Sequence, residues 1–447
     1  MSFHGGGRRP LAQPGSDPAR VRGQTPTIVR APRQRRTALR ILLWHGYLLG
    51  GTGSNVYTRA LAREWSRAGH EVVVFSQDRH AEEYDLGGAR HVRPEIGPIL
   101  PVFVLDRYEG VEARLLPELT HEERECFVEA NADALRAELP ADLVFANHVL
   151  LGGPVAAATG APYAVKAHGS ELEYAIRGNA DLAAWARESL ARAKAVFVGS
   201  DHIRRVLEEV VGHVERVHEV PPGVDVDEFK PAPRAEALER LVDEARRDTT
   251  GDERLPDPGN AERFTEFFAR DEPTVLYFGK LIRNKGVHLL LEALRNLDAR
   301  AVIVGFGDYR AALEQVAPPR TLFTGPLEHR HLVHLLPLAD VAVVPSIFPE
   351  AFGMVAAEAA SAGCLPLVAR HSGLQEIAEG LEAAYPPEAR DLTSFATGEV
   401  TDLTAKLERL LALSPDERAR LAEAARETTV ERWSWRSVAE RLLQPFN

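Results

Sequence analysis

Short apolar runs alternate with amphipathic stretches along the chain from Leu39 onward. The run at 39–44 (LRILLW) is followed by a helical pattern over 54–68 and by the apolar run EVVVF after Gly69. This order predicts a strand, a helix and a second parallel strand. A helix over 120–138, opened by the capping box Thr120-x-x-Glu123, and apolar runs at 143–146, 163–167 and 195–198 continue the alternation. One parallel α/β sheet accounts for this part of the chain.

The same alternation starts again after an intervening polar stretch. Pro222-Gly223 marks a turn, and residues 232–272 are rich in Arg, Glu and Asp. Five uninterrupted apolar runs then follow, at 274–278, 301–305, 321–325, 341–345 and 365–369. Strands of this kind are buried on both faces, as in doubly wound sheets. We therefore predict an α/β chain with two Rossmann-like doubly wound domains that face each other across a ligand-binding cleft.

The pattern also sets the predicted domain bounds. They are a disordered basic arm at 1–36, an N-terminal Rossmann-like domain at 37–222, a linker or insertion at 223–272, a C-terminal Rossmann-like domain at 273–428 and a C-terminal helix at 429–447. The arm is rich in Gly, Pro and Arg and has almost no apolar periodicity, which is typical of disordered segments.

The charge and the cysteine content restrict which binding partners and which cellular compartment we expect. The net charge of -12, combined with a basic arm, leaves an acidic body, so nucleic-acid binding is not expected. Cys126 and Cys364 are too few and too far apart for a disulfide framework. No apolar run is long enough to span a bilayer and no signal-peptide pattern is present. We expect a cytoplasmic protein, whose arm either contacts anionic lipid at the inner membrane face or has no role.

The densest chemical motif follows the apolar run at 341–345. It reads SIFPEAFGMVAAE and places Glu350 in a loop and Glu358 inside a helix that begins near Phe352 and Gly353. The free N–H groups of such a helix start form an anion site. Glu350 could accept hydrogen bonds from a polyol, and Glu358 from the vicinal diol of a ribose. The alternative is two solvated glutamates on an Ala-rich helix.

A second motif, GKLIRNKG, follows the apolar run at 274–278. Lys280 and Lys285 are two of only six lysines in the chain. Fixed ammonium groups can hold the developing charge of a diphosphate leaving group. The alternative is an ordinary polar loop between a strand and a helix.

Six motifs, taken in order, resemble family 4 of the retaining glycosyltransferases, which have the GT-B fold. They are GGTGSNVYTRALA, PPGVDVDEFKP, GKLIRNKG, VGFGDYR, GPLEH and PEAFGMVAAEAASAGCLPL. The resemblance covers about 39–440. It implies a UDP- or GDP-sugar donor bound mainly by the C-terminal domain, a carbohydrate, polyol or lipid-linked acceptor bound mainly by the N-terminal domain, and transfer without a metal.

The resemblance also implies roles for individual residues. Lys280 and Lys285 correspond to the diphosphate clamp, Glu350 to the donor-sugar contact and Glu358 to the ribose contact. The backbone amides implied to bind the donor belong to Gly353, Met354 and Val355, next to Phe352. Gly50 and Gly51 would let the backbone approach the donor phosphate or the acceptor. The first clamp position is often Arg in this family, and Lys280 cannot make the bidentate contact of an Arg.

His168 is the catalytic candidate of the N-terminal domain. It follows the run at 163–167 and so lies at the carboxyl end of a strand, where it would face the cleft. In the family it resembles, a His or acid near this point contacts the donor sugar or stabilises charge. No carboxylate in this domain is marked as a nucleophile by its spacing. We therefore expect same-face transfer without a covalent intermediate.

Three features favour other interpretations. Gly51, Gly53 and Val56, with Asp78 after the next strand, imitate an imperfect dinucleotide fingerprint, so an NAD-dependent oxidoreductase is the main alternative. A nucleotide-sugar epimerase or a phosphorylase-like enzyme on the same scaffold is another. Asp225-x-Asp227 imitates a metal-binding pair but is expected to form a turn. The crowded His329, His331 and His334 are expected on a solvated helix face, and no metal site is predicted.

Overall fold

A computed structural model of the chain describes residues 38–51, 53–105, 111–251 and 254–446. The predicted arm at 1–36, including its lipid contact, lies outside these residues. The strands before residue 220 are β1 (Arg40–Trp44), β2 (Glu71–Phe75), β3 (Arg90–Val92), β4 (Ile99–Val102), β5 (Glu112–Leu115), β6 (Leu143–Asn147), β7 (Tyr163–Lys166), β8 (Ala195–Val198) and β9 (Val217–Glu219). The helices among them are α1 (Gly53–Arg67), α2 (His121–Arg136), α3 (Gly152–Ala158), α4 (Ala180–Ala191) and α5 (Asp201–Val211).

The remainder of the chain repeats the arrangement. Its strands are β10 (Thr274–Phe278), β11 (Arg300–Val304), β12 (Thr321–Phe323), β13 (Val341–Val344), β14 (Leu365–Ala369) and β15 (Ser394–Phe395). Its helices are α6 (Arg234–Ala245), α7 (Asn260–Phe267), α8 (Val287–Leu294), α9 (Arg310–Val316), α10 (His329–Leu335), α11 (Met354–Ser361), α12 (Ser372–Glu382), α13 (Val400–Leu411), α14 (Pro415–Arg432) and α15 (Trp435–Leu442).

Two parallel sheets organise these elements. The first has the order β3-β2-β1-β6-β7-β8-β9 and the second the order β12-β11-β10-β13-β14-β15. In each sheet the order reverses beside the first strand, between β1 and β6 and between β10 and β13. Ligands of open parallel sheets bind beyond the carboxyl ends of the strands at such a reversal. The predicted α/β class with two doubly wound sheets is confirmed.

The strands predicted from apolar runs are present, with ends within two residues of those predicted. Most of their residues are buried, and in β10 and β13 all of them are, because helices cover both faces of the sheets. The predicted capping box also forms: Thr120 Oγ1 accepts from the Glu123 amide, and Glu123 Oε2 accepts from the Thr120 amide at 2.9 Å. This pair of hydrogen bonds sets the start of α2.

The charged stretch before the second sheet is helical. α6 and α7 place Leu241 and Phe264, both fully buried, in the same hydrophobic core as β10 and β13. The many charged residues of this stretch obscured the amphipathic pattern of α6 and α7 in the sequence. Their apolar sides become evident only from the packing of the two helices. The small separate sheet of β4 and β5 was also not predicted, because its strands are short and lack a long apolar run.

The last helix packs against the first sheet's layer, not the second's. Trp435 and Leu442 of α15 join the core formed by Tyr57, Leu61 and Trp65 of α1. The Trp65 indole N–H donates to the carbonyl of Ala439 at 3.0 Å. The chain therefore returns to its first half at its end, and α15 fastens the two halves together.

A second link joins the halves beside the first. Glu376 of α12 accepts a hydrogen bond from the Asp201 amide, at the start of α5, at 2.7 Å. Burial and the neighbouring Glu219 carboxylate raise the pKa of Glu376. A proton retained by Glu376 can be shared with the Glu219 carboxylate. The two residues lie in different halves of the chain.

In the part of the chain that the structure describes, no helix is long and apolar enough to cross a membrane.

Replacing Trp435 tests the role of α15. We expect Trp435→Ala to lower the free energy of unfolding by about 3 to 5 kcal/mol, because a large buried aromatic side chain leaves a cavity. Urea denaturation of the full chain measures this loss. Arg436→Ala, on the exposed face of the same helix, is the control and should change stability little. Equal effects of the two substitutions would contradict the fastening role.

Candidate active site

The two sheets point the carboxyl ends of their strands into one cavity of about 870 Å³. Its walls come from the segments that follow β1, β6 and β7 on one side and β10 and β13 on the other. These segments include both positions at which the strand order reverses. The cavity is therefore placed where a doubly wound pair of sheets binds its ligand.

On the second sheet's side, both lysines of the GKLIRNKG motif line the cavity together with Glu350. Lys285 Nζ lies 2.5 Å from Glu350 Oε1, and both side chains are mainly buried. Lys280 is exposed at the same wall, and its carbonyl accepts a hydrogen bond from the Tyr277 hydroxyl at 2.8 Å. Two cations and one carboxylate thus converge on one region.

The loops that carry these residues interlock. Gly286 has φ 68°, and a Cβ atom there would lie 1.9 Å from the Pro345 carbonyl oxygen, so only glycine allows this approach. The Asn284 carbonyl accepts hydrogen bonds from the Ile347 amide at 2.9 Å and from Ser346 Oγ at 3.3 Å. The position of Lys285 is therefore fixed relative to the loop that carries Glu350.

A third segment holds the Glu350 loop from the other side. The Glu350 amide donates to Ser372 Oγ at 2.9 Å, and its carbonyl accepts from the Gly373 amide at 3.0 Å. His371 Nε2 lies 2.7 Å from the Ser346 carbonyl oxygen. Ser372 has φ 47°, which is unusual for a residue with a side chain. The surrounding hydrogen bonds hold Ser372 in this strained backbone conformation and fix the geometry of the Glu350 loop.

The helix α11 begins at this wall. Gly353 precedes it with φ 122° and ψ 47°, and Phe352, Gly353, Met354 and Val355 all line the cavity. Phe352 is buried edge-on against Trp433, with ring centroids 5.9 Å apart. The first amides of α11 are therefore available to an anion that also reaches the lysines.

Three candidate residues lie outside the described cavity lining: Gly50, Gly51 and Glu358. The Gly50 carbonyl accepts a hydrogen bond from the Asn55 side-chain amide, while Gly51 is exposed with φ 91°. Glu358 lies one turn into α11, and most of its surface is buried. Burial raises the pKa of Glu358 to about 7, with His329 opposing the shift.

On the first sheet's side, His168 lines the cavity as predicted from its position after β7. Its Nε2 lies 2.7 Å from Asn147 Oδ1, and its amide donates to Glu171 Oε1 at 2.9 Å. Burial, with the neighbouring His148 and Lys166, holds the pKa of His168 well below its usual value. The imidazole is therefore neutral at pH 7.

A second histidine, not singled out in the sequence, shares this wall. His148 directly follows β6 and is almost fully buried, with φ 71°. Its Nδ1 lies 3.3 Å from Glu171 Oε2, and its ring centroid lies 4.7 Å from that of His168. The rule that selected His168, a polar residue at the carboxyl end of a strand, would also have selected His148.

Two buried charged residues, Glu171 and Lys166, lie next to the histidines. Burial alone would raise the pKa of the Glu171 carboxyl, but His148 and the backbone amides lower it overall. Lys166 donates to the Val220 carbonyl at 2.9 Å, and burial lowers its pKa to about 7 despite the opposing Glu171. Neither Glu171 nor Lys166 could be recognised from spacing, because their roles depend on the packing between strands.

The competing motifs have local structural roles. Asp78 accepts hydrogen bonds from the Leu49 and His80 amides at 2.7 and 2.8 Å, so it closes the loop after β1. Asp225 accepts from the Asp227 and Glu228 amides and pairs with Arg63 at 2.7 Å, as a turn residue does.

The prediction of a solvated histidine face was wrong for His331. That side chain is fully buried 2.9 Å from Asp248, and His329 lies 2.5 Å from Glu228. Among the described residues, no three His, Cys, Asp or Glu side chains are grouped so that they could hold a metal ion.

Comparison with known proteins relates this site to a family. Residues 51–228 match the family model described as Glycosyltransferase Family 4, and residues 260–428 match that described as Glycosyl transferases group 1. Together the two models cover most of the chain: the first includes β2 to β9 and the second includes β10 to β15.

Two relatives match along nearly their full length. A D-inositol 3-phosphate glycosyltransferase of Xylanimonas cellulosilytica is 28% identical, over 88% of this chain and 91% of its own. A GDP-mannose-dependent alpha-(1-6)-phosphatidylinositol monomannoside mannosyltransferase of Mycolicibacterium smegmatis is 26% identical, over 88% of this chain and 94% of its own.

Solved structures share the fold. The sucrose-phosphate synthase of Thermosynechococcus elongatus superposes with a TM-score of 0.62 at 21% identity, over 91% of this chain and 98% of that one. Anabaena HepE in complex with UDP and glucose superposes with a TM-score of 0.61 at 16% identity, over the same shares. With both halves matched in order and the fold shared, the chain belongs to the GT-B glycosyltransferases of family 4 and is a nucleotide-sugar-dependent glycosyltransferase.

Proposed function

We propose that this enzyme transfers a sugar from a UDP- or GDP-sugar to an acceptor hydroxyl with retention of configuration and without a metal ion. The observation that carries the proposal is the convergence of Lys280, Lys285, Glu350 and the start of α11 on one cavity. Such a set combines cations and amides for a diphosphate with a carboxylate for sugar hydroxyls.

The diphosphate binds between the lysines and the first amides of α11. Its negative charge increases as the bond to the sugar breaks, so cations held in fixed positions stabilise the transition state more than the ground state. Lys285 is held in place by the interlocked loops. A fixed cation requires little reorganisation when the charge develops, and the two lysines supply the positive charge that a metal ion would otherwise provide.

Glu350 binds the donor sugar beside this clamp. Its carboxylate lies 2.5 Å from Lys285 Nζ, so a diphosphate that pairs with Lys285 brings its attached sugar next to Glu350. The backbone bonds to Ser372 and Gly373 orient the Glu350 loop. Glu358 lies outside the described lining, three residues beyond Val355 on α11. It accepts the ribose hydroxyls, when ionised, if the nucleoside extends past that end of the lining.

The reaction takes place on one face of the sugar. The bond between the anomeric carbon and the diphosphate oxygen breaks, and a bond to the acceptor oxygen forms on the same face. The acceptor's proton passes to the leaving diphosphate, so no protein nucleophile is needed. His168 and His148 are neighbours on the first sheet's wall of the cavity. In this proposal the neutral His168 acts as a polar contact for the donor sugar.

The acceptor is a hydroxyl compound bound on the first sheet's side. The relatives' names support a carbohydrate, polyol or lipid-linked acceptor, since they act on inositol phosphate, on a phosphatidylinositol mannoside and, for a relative that matches 38% of this chain, in glycogen synthesis. The wall formed by the segments after β1, β6 and β7 is where such a molecule would lie.

Replacing either clamp lysine tests the diphosphate site. We expect Lys280→Ala and Lys285→Ala each to lose about 2 to 4 kcal/mol of transition-state stabilisation, as when an oxyanion donor is removed. Release of nucleotide from a panel of UDP- and GDP-sugars measures turnover. Lys194→Ala, an exposed lysine of the first half, should retain wild-type turnover, and near-normal rates in both clamp variants would contradict the proposal.

The pH dependence of donor binding tests Glu358. Because burial raises its pKa from 4.5 to about 7, the side chain gains its charge between about pH 6 and 8, and the Kd of a nucleotide-sugar should fall by up to about tenfold over that range. In Glu358→Gln this dependence should be absent, as calorimetry can show.

The same shift has a consequence for folding. A raised pKa means that the folded state disfavours the charged form, so wild-type stability relative to Glu358→Gln is highest below about pH 4.5 and falls as the pH rises through about 7. Parallel pH profiles of the two proteins in donor binding and in urea unfolding would contradict the assigned role.

His168→Ala and product analysis test the chemistry. We expect turnover to fall by about tenfold to a hundredfold, somewhat less than for loss of a full acid–base group. His213→Ala, an exposed histidine of the same half, is the control. NMR of the product should show the donor's anomeric configuration. An inverted product would refute retention, and a glycosylated peptide found by mass spectrometry would refute the absence of a covalent intermediate.

A further inference from the structure

Exposed apolar side chains are concentrated at the mouth of the cavity. In the described part of the chain, the large hydrophobic residues with substantial exposure are Val104, Leu105, Tyr174, Val316, Ile347, Phe348 and Val430. Val104, Tyr174 and Phe348 line the cavity, and Leu105 and Ile347 adjoin them in sequence. Only Val316 and Val430 have no such relation to it, so the exposed apolar surface is clustered and not scattered.

The clustered residues come from both halves of the chain. Val104 follows β4, and Tyr174 lies in the single turn of π-helix at Leu172–Ile176, which directly follows Glu171. Phe348 lies in the interlocked loop that also carries Glu350. Their exposed fractions are 50%, 66% and 57%. We call Val104, Tyr174 and Phe348 the apolar rim.

The apolar rim continues inward as an aromatic wall. The ring centroids of Tyr47 and Phe103 lie 6.0 Å apart, and those of Tyr47 and His148 lie 5.3 Å apart. Phe103 immediately precedes Val104 of the rim. Tyr47 and Phe103 line the cavity but expose only 8% and 7% of their surface. Part of each ring is therefore open to the apolar atoms of a sugar, and the wall continues the rim into the cavity.

Positive charge is scarce on that surface. Among the described residues lining the cavity there is no arginine, and its lysines are Lys166, Lys280 and Lys285. Lys166 already donates to the Val220 carbonyl, and burial lowers its pKa to about 7. Lys280 and Lys285 are assigned to the donor diphosphate. A phosphorylated acceptor normally requires Arg or Lys donors of its own.

We propose that the acceptor is an uncharged sugar or polyol that carries an apolar aglycone, with its ring against the aromatic wall and its aglycone against the apolar rim. This inference rests on the proposed function and specifies its acceptor.

Binding measurements test the proposal directly. Matched methyl and n-hexyl glycosides of glucose, galactose, mannose and N-acetylglucosamine, together with myo-inositol 3-phosphate, are titrated into the full chain by calorimetry below micelle formation. The titrations are run with UDP, with GDP and with neither. In at least one pair the hexyl glycoside should bind about tenfold tighter than the methyl glycoside, because each buried methylene favours binding.

Substitutions identify the surface responsible. Tyr174→Ser and Phe348→Ser should each reduce the hexyl-to-methyl affinity ratio severalfold and leave the methyl glycoside's affinity unchanged. Val316→Ser is the matched control, since Val316 is 42% exposed but lies on α9 away from the cavity. It should preserve the ratio. A rim that served only to close the two halves on each other would change both members of a pair equally.

The outcomes separate this inference from the proposed function. Equal affinities in every pair, a ratio unaffected by both rim substitutions, or tightest binding of myo-inositol 3-phosphate would overturn the acceptor assignment while nucleotide binding and donor turnover remained. Failure of every UDP- and GDP-sugar to bind or react would instead refute the proposed function, whatever the glycosides did.

Discussion

The contact between Gly286 and the Pro345 carbonyl is the constraint on which the rest of the site depends. It brings the loop after β10 against the loop after β13, and the Asn284 carbonyl then accepts hydrogen bonds from the second loop. Any side chain at residue 286 would force the loops apart and separate Lys285 from Glu350. Backbone packing therefore couples the two loops that carry Lys285 and Glu350. It fixes the backbone positions of these two residues relative to each other.

The two walls of the cavity differ in electrostatic character for a physical reason. The second sheet's wall is partly exposed and carries Lys280 and Lys285, the lysines of the proposed diphosphate clamp. The first sheet's wall is deeply buried, and burial drives His168 toward its neutral form and lowers the pKa of Lys166. Under the proposed assignment, the cleft offers a charged surface to the donor and an aromatic surface with little charge to the acceptor. Glu171 is the buried charge that this arrangement tolerates, because His148 and two backbone amides satisfy it.

Contacts outside the cavity determine how the walls face each other. α15 returns to pack on α1, and Glu376 joins α12 to the start of α5. The first contact reaches the cavity lining through Tyr57, whose ring centroid lies 5.5 Å from that of Trp435. Both contacts restrict the relative position of the halves. Because the proposed donor clamp and acceptor wall belong to different halves, the distance between donor sugar and acceptor hydroxyl would depend on these two contacts.

The sequence alone determined what depends on local pattern. Apolar periodicity predicted all strands of the two sheets except the short β3, β9 and β15, and Thr120 and Glu123 predicted the start of α2. Strand-end position predicted that Lys280, Lys285, Glu350 and His168 lie at the cavity, because a side chain's place at a strand end follows from its neighbours in the chain. Tertiary structure alone decided the rest: the pairing of His148 with Glu171, the burial of His331 on Asp248, the position of Gly50, Gly51 and Glu358 outside the described lining, and the apolar rim. These features depend on residues that are far apart in sequence. Their burial and their contacts arise only when the sheets and helices pack, and local spacing does not encode that packing.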